Sequence, residues 1–256
     1  MKNKIGWCDM TFNPVWGCLN NCEYCYARGI AKRFGSVMAV DEYYSHYWGN
    51  KRCAKGINKA EVKRMSESLR EFKPTFLYGQ YFKKLPKKPQ RIFVGSMSEI
   101  AFWEKEWMDR VVEKTKEYPQ HTFQFLTKDS YVYGNREFYY FPQNCWLGVT
   151  ITKESDFKNI AHRFIYSNNN ITYLSIEPIL ERIKPSLTNP LCLNIDWVII
   201  GAETGNRKDK VIPKKEWVDD IVNYCRAKNI PLYLKDSLKE IYPVEIKEFP
   251  KQGDNK

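Results

Sequence analysis

The chain has 256 residues, 43% of them apolar and 15% aromatic, with eight cysteines and a formal net charge of +11. This length and apolar content exclude a disordered polymer and give a folded chain with a sizeable core. No apolar run approaches the ~18 residues of a membrane span, and Met1 to Trp7 contains no apolar signal segment, so a cytoplasmic protein in a reducing compartment is expected. The positive charge admits a nucleic acid or another anionic partner, and a solvated basic surface accounts for it equally well.

In chain order, Thr11 to Val15 predicts a short first strand stopped by Pro14. Cys18, Cys22 and Cys25 follow at i, i+4 and i+7, a ligand spacing. The loop leads into a helix predicted over Tyr26 to Phe34, with Gly35 as its C-cap. Thiolates there meet free backbone N–H groups and a favourable dipole. Structural zinc takes four ligands, and a [4Fe–4S] cluster usually takes four cysteines. Three leave one iron open, which makes a cofactor or substrate site. Structural zinc, a structural cluster and unrelated buried thiols are the alternatives. Trp7, Phe12 and Trp16 flank the cysteines and are expected to shield such a cluster from water, a role compatible with plain core packing.

The stretch from Ser36 to Pro89 is less regular. Tyr43 to Trp48 is aromatic, Ile57 to Phe72 has helical periodicity, and Lys83 to Arg91 is basic and broken by prolines. Aromatics interleaved with lysines suit a nucleic-acid surface and suit an active-site lid equally. The remaining cysteines, Cys8, Cys53, Cys145, Cys192 and Cys225, have no tight metal spacing. Cys145 and Cys225 are expected in the core, and Cys8 near the cysteine loop.

From Arg91 the rhythm is regular. Strands are predicted over Arg91 to Ser96, His121 to Thr127, Trp146 to Ile151, Ile171 to Ile176, Asp196 to Ile200 and Pro231 to Lys235. Helices are predicted over Glu104 to Tyr118, Phe157 to Tyr166 and Lys214 to Ala227. Short apolar strands separated by crossovers imply a parallel sheet covered by helices. The expected fold is α/β, a partial (β/α)6-type TIM barrel over residues 1–242, with an aromatic and basic insertion at about 36–90 and a C-terminal tail at 243–256. A doubly wound sheet is the alternative. Chemistry in a parallel barrel sits at the C-terminal strand ends. Ser96, Ser98, Glu99, Lys128, Thr150, Glu177, Glu203 and Lys235 all fall there and outline one polar rim.

The C-x3-C-x2-C loop with Tyr24 before the last cysteine resembles the radical S-adenosylmethionine (SAM) superfamily. A closer resemblance spans Ile5 to about Lys235. It rests on Thr11-Phe-Asn-Pro-Val-Trp-Gly-Cys18, Arg91-Ile-Phe-Val-Gly-Ser-Met-Ser-Glu99, Ser175-Ile-Glu-Pro-Ile179 and Asp196-Trp-Val-Ile-Ile-Gly-Ala-Glu-Thr-Gly205. These motifs, in this order, are similar to the phage-associated DUF5131 family, which is regarded as radical-SAM-like. The chain departs from the family at Cys8, where members often have Thr, and after Lys235, where Asp236-Ser-Leu238 replaces Gln-Trp-Gly.

The resemblance implies a [4Fe–4S] cluster on Cys18, Cys22 and Cys25 that reduces SAM to a 5'-deoxyadenosyl radical. It implies that Tyr24 packs beside the adenine and that Ser96, Ser98 and Glu99 handle the SAM amino group. Lys128 is then expected at the carboxylate and Thr150 at the ribose. Glu177, Glu203 and Lys235 are expected to orient a polar substrate, with a structural Glu203–Lys235 pair as the alternative. The family's reaction is not assigned; phage association, the positive charge and the aromatic and basic region before Arg91 favour modification or repair of a nucleic acid or nucleotide, with a reducing electron donor and no membrane partner. A peptide or small metabolite as substrate, and a non-catalytic iron–sulfur protein, are the rival readings.

Overall fold

The computed structural model describes residues 5–48, 58–134, 141–160, 170–184 and 195–251. Its strands are β1 (Met10–Phe12), β2 (Val15–Trp16), β3 (Thr75–Phe76), β4 (Arg91–Val94), β5 (Thr122–Thr127), β6 (Cys145–Thr150), β7 (Thr172–Ile176), β8 (Trp197–Ile200) and β9 (Leu232–Leu234). Its helices are α1 (Tyr26–Trp48), α2 (Lys59–Arg70), α3 (Tyr78–Tyr81), α4 (Lys105–Lys116), α5 (Tyr131–Gly134) and α6 (Lys215–Ala227). Among the described residues, no helix is long and apolar enough to cross a membrane.

Seven strands form one sheet in the order β1-β4-β5-β6-β7-β8-β9, with every neighbouring pair parallel. A doubly wound sheet requires the strand order to reverse, and this order runs steadily in one direction. Both faces of the sheet are apolar, for different reasons. One face carries Ile92, Phe123, Val149, Leu174, Val198 and Leu232, which pack with Met108 and Val111 of α4 and Val218 and Ile221 of α6. The other carries Phe93, Trp146, Tyr173, Trp197 and Tyr233, which close around Trp7.

That second cluster fixes the curvature. β4 and β8 are four strand spacings apart, about 19 Å in a flat sheet. Yet the Trp7 ring lies 4.7 Å from Phe93 and 6.2 Å from Trp197. The sheet is therefore a curled half-barrel with an aromatic floor. Its seven strands include the predicted first strand, found at Met10–Phe12 beside β4. The Gln124 amide and Trp7 Nε1, both on the concave side, are buried without hydrogen-bond partners.

Four local expectations are corrected. Helix α1 runs through Gly35 to Trp48, so Gly35 is not a C-cap. A Cβ at Gly35 would lie 2.9 Å from Arg70 Cγ and 3.0 Å from Arg70 N, so the glycine lets α1 and α2 cross closely. Trp7 and Phe12 do not shield the cysteines. Trp7 is in the barrel floor and Phe12 in the sheet–helix core, which leaves only Trp16 beside Cys18 and Cys25. The helix expected over Phe157 to Tyr166 is a 3-10 turn at Glu154–Asn159, and its second half lies outside the described residues.

The fourth correction concerns the C-terminal tail. Leu234 N–H donates to Ile246 O at 2.8 Å and Glu248 N–H to Leu232 O at 3.0 Å, so this segment covers the free edge of β9. Phe249 then packs on Trp197, and the Arg91 guanidinium sits 3.9 Å from the centre of its ring. Residues 252–256 of the expected tail lie outside the described residues, as do Cys53 and Cys192. Cys145 and Cys225 are core thiols, as expected.

Candidate functional site

The cysteine loop is held by backbone hydrogen bonds on both sides. Gly17 N–H donates to Met97 O at 3.0 Å and Cys18 N–H to Phe72 O at 2.9 Å. The loop thus hangs between the segment after β4 and the end of α2. Gly17 has φ +111°, and a Cβ there would lie 2.1 Å from Lys73 O, so the approach admits only glycine.

Cys25 directly precedes the first turn of α1, and its Sγ accepts the Arg28 N–H at 3.4 Å. Cys18 Sγ accepts the Asn20 N–H at 3.3 Å. Burial pushes the Cys18 thiol up to about 11, against the Asn20 N–H, and the nearby Glu99, Cys22 and Cys25 charges push the same way. Arg28 Nη2 donates to Asn20 O at 2.8 Å, whereas its Nε is buried without a partner. Among the described residues no three His, Cys, Asp or Glu side chains already converge as a metal site. The donor set nevertheless fits a sulfur-ligated cluster. It has three soft donors in one loop, backbone N–H groups on two of the sulfurs, and an orphaned buried cationic N–H beside them.

The loop lies over the C-terminal strand ends. Lys128, just past β5, donates to Tyr24 Oη at 2.9 Å and stands over the Tyr24 ring. Burial pulls the Lys128 amine down, but Tyr24, Cys22 and Glu99 together raise it above its ordinary value. Tyr26 Oη donates to Ser96 O at 3.0 Å, and Ser96 Oγ donates to Asn13 Oδ1 at 3.0 Å. Tyr24, Lys128 and Ser96 therefore gather beside the cysteines.

Glu99 and Ser98 are engaged in positioning. The buried Glu99 carboxylate accepts from Lys128 N–H at 2.9 Å, from Ala101 N–H at 3.2 Å and from the Thr127 hydroxyl. Burial raises its pKa despite these bonds. Ser98 Oγ accepts the Trp103 indole N–H at 3.0 Å. Thr150 ends β6 on the concave side, half-buried, in register with Ser175.

The carboxylates pair differently from the alternative reading of a Glu203–Lys235 pair. Lys235 pairs with Glu177 rather than with Glu203. A Cβ at Gly201 would lie 3.0 Å from Glu177 Cγ and 3.1 Å from Lys235 Cδ. The missing side chain on the intervening strand lets residues after β7 and β9 meet above it. The pair is half-buried, and Lys235 is close enough to Cys8 to lower its pKa against burial, which takes that thiol up to about 12.

Glu203 binds Arg207 at 2.7 and 2.8 Å, and Arg207 Nη1 reaches Glu23 in the cysteine loop at 3.1 Å. This Glu203–Arg207–Glu23 clasp joins the segment after β8 to the loop between Cys22 and Cys25. Asn13, Arg28 and Arg207 were not singled out from the sequence. Arg28 alone had a signal there, as the N3 residue after Cys25.

The Arg207 guanidinium, opposed by burial, holds the Glu203 carboxyl below its ordinary value of 4.5. A depressed carboxylate adds stability that is full above its unfolded pKa and fades as pH falls through the folded one. Arg207→Ala is therefore expected to lower Tm most at neutral pH, with the gap to wild type narrowing below about pH 4.5. A thermal melt series from pH 7 to about pH 3 checks this, and a constant gap would mean that the clasp carries no ionic stabilisation.

No match is found among curated proteins or among solved structures. One family model, described as a protein of unknown function, matches residues 2–248. With that match spanning nearly its whole length, the chain belongs to the DUF5131 family.

Proposed function

We propose that this protein is a radical SAM enzyme of partial TIM-barrel type, with a [4Fe–4S] cluster on Cys18, Cys22 and Cys25, and that it modifies or repairs a nucleic acid or nucleotide. One observation carries the reading. Three thiols in a single loop lie over the C-terminal ends of a parallel half-barrel, where such folds keep their chemistry, and Lys128 is tied to that loop through Tyr24. The reading requires the thiols to close inward on loading.

When bound, a cluster with one open iron supplies one-electron reduction of the SAM sulfonium. The chain's own residues supply placement. Lys128 and Tyr24 offer a cation and a hydroxyl to an anionic group of the cofactor, and Glu99 acts through them by fixing the Lys128 backbone. The Glu177–Lys235 pair offers both an acceptor and a donor to a polar substrate. The aromatic floor excludes water from below. The net charge of +11 is compatible with an anionic substrate.

The test is EPR on anaerobically reconstituted, reduced protein, with and without SAM. A [4Fe–4S]+ signal that changes shape on adding SAM is the expected result. A signal indifferent to SAM leaves a non-catalytic iron–sulfur protein, and zinc in place of iron removes the redox reading. For the substrate, binding to single-stranded DNA and RNA is expected to weaken steeply between about 50 and 200 mM salt. Absence of such binding favours a peptide or small metabolite.

A further inference from the structure

Arg28 is bound to the thiol loop at several points and still has one donor left over. It is the third residue of α1, the helix that starts directly after Cys25. Its backbone N–H, one of the unpaired donors of a helix's first turn, goes to Cys25 Sγ at 3.4 Å. Its side chain reaches back to the start of the loop. Nη2 donates to Asn20 O at 2.8 Å and to Cys18 O at 3.4 Å. The guanidinium carbon stands 5.2 Å from the centre of the Phe72 ring, which is buried. Phe72 is itself tied to the loop, because its carbonyl accepts the Cys18 N–H. Two carbonyls and one ring therefore fix the guanidinium. Its donors form a rigid planar fork, so the direction of Nε–H is fixed with it. That atom is buried and has no partner.

An arginine that only braced the loop would need the two carbonyl bonds and the ring. It would have no reason to bury Nε. A buried donor without an acceptor bears the full loss of its hydration, and native structures rarely leave one. The neighbouring carboxylates do not supply the acceptor. Glu23 is bound by Arg207, and Glu99 by Thr127 and the backbone of Ala101 and Lys128. Lys128, the other cation beside the loop, is bound to Tyr24. The acceptors that remain belong to the thiol loop itself. Arg28 already touches the Cys18 carbonyl and the Cys25 sulfur.

We infer that Arg28 Nε donates a hydrogen bond to a sulfur of the bound cluster and thereby raises the cluster's reduction potential. The inference rests on the cluster reading above. Reduction adds a negative charge to a core already held by thiolates. A fixed cationic donor at one of its sulfurs stabilises the reduced form more than the oxidised one. The buried setting strengthens that preference, since the donor is shielded from water.

The first experiment needs no variant. Protein grown with arginine carrying nitrogen-15 only in its guanidinium is reconstituted, reduced and measured by pulsed EPR. A nitrogen-15 hyperfine coupling to the reduced cluster is expected, and its absence overturns the inference. The second experiment is an EPR-monitored redox titration of Arg28→Gln and Arg28→Lys. Arg28→Gln is expected to abolish the coupling and to lower the equilibrium constant for reduction at least about tenfold, which is about 59 mV for one electron. Arg28→Lys keeps the charge without the fork and should recover only part of that shift. Full recovery by lysine would assign the effect to charge alone and overturn the hydrogen bond. An Arg28→Gln variant that takes up iron at the wild-type potential also overturns the inference and leaves the cluster reading intact. If that variant takes up no iron, the labelled wild type decides alone. Wild-type protein that takes up no iron overturns both readings.

Discussion

Gly17→Ala is expected to lower the stability of the protein by about 3 kcal/mol or more, with a fall in Tm of roughly 10 °C. Two costs act together. The backbone at φ +111° lies where residues with a Cβ are strained, and the added carbon would sit 2.1 Å from Lys73 O and 2.5 Å from Pro74 N. Backbone atoms cannot step aside as a flexible side chain does. The neighbouring bonds from Gly17 N–H to Met97 O and from Cys18 N–H to Phe72 O would have to lengthen, and they are what hold the thiol loop. Iron uptake should therefore fall along with Tm. Gly29→Ala is the control, because nothing lies within 4 Å of its Cβ position. In a helix that change should be neutral or stabilise by about 0.5–1 kcal/mol. Equal melting temperatures for the two variants would mean that the loop is not pinned at Gly17.

Gly148→Ala is the second large effect, expected to cost about 3 kcal/mol. A Cβ there would lie 2.2 Å from Cζ of Tyr173. That ring has nowhere to go. It is fully buried, its hydroxyl donates to Phe125 O at 2.8 Å, and it lies against Trp197 at 5.5 Å and Trp7 at 6.2 Å. The clash falls inside the half-barrel, so the floor would open. A double-mutant cycle with Tyr173→Leu tests the cause. If ring crowding is responsible, Gly148→Ala should cost at least about 1 kcal/mol less beside leucine. Strict additivity would place the cost elsewhere.

The parts of this molecule that were readable from its sequence are those governed by short-range pattern. The strand segments showed themselves because a sheet buried on both faces needs continuous apolar runs, as in Trp197 to Ile200. The crossover-length connections pointed to parallel pairing and left the strand order open between a barrel and a doubly wound sheet. The cysteine loop was visible because three thiols at fixed spacing have few structural uses.

What was misread depended on contacts between distant segments. Gly35 has the same local signature as a helix C-cap and a close helix crossing, and only the position of Arg70 separates the two. The Glu203–Lys235 pair, an alternative from the sequence, is replaced by Lys235–Glu177 because Gly201 leaves the space between those two side chains empty, a consequence of register across three strands. Trp7 adjoins the cysteines in sequence yet belongs to the floor, since the chain crosses under the sheet before β1 begins. The clasp through Arg207 likewise joins residues 184 positions apart.

The floor of the half-barrel has a consequence for how the chain is made. Trp7 emerges from the ribosome long before Phe249, and both cover Trp197. Between those moments the nascent chain holds a nearly complete sheet with Trp197 bare on its Phe249 side and the edge of β9 unpaired. No fragment that stops before Phe249 can seal that surface, so closure waits for that segment to emerge. Contacts this remote in sequence make closure slow and leave the unfinished protein sticky. A trigger-factor-like holdase that favours aromatic surfaces should therefore matter more to the yield of this protein than its modest size suggests.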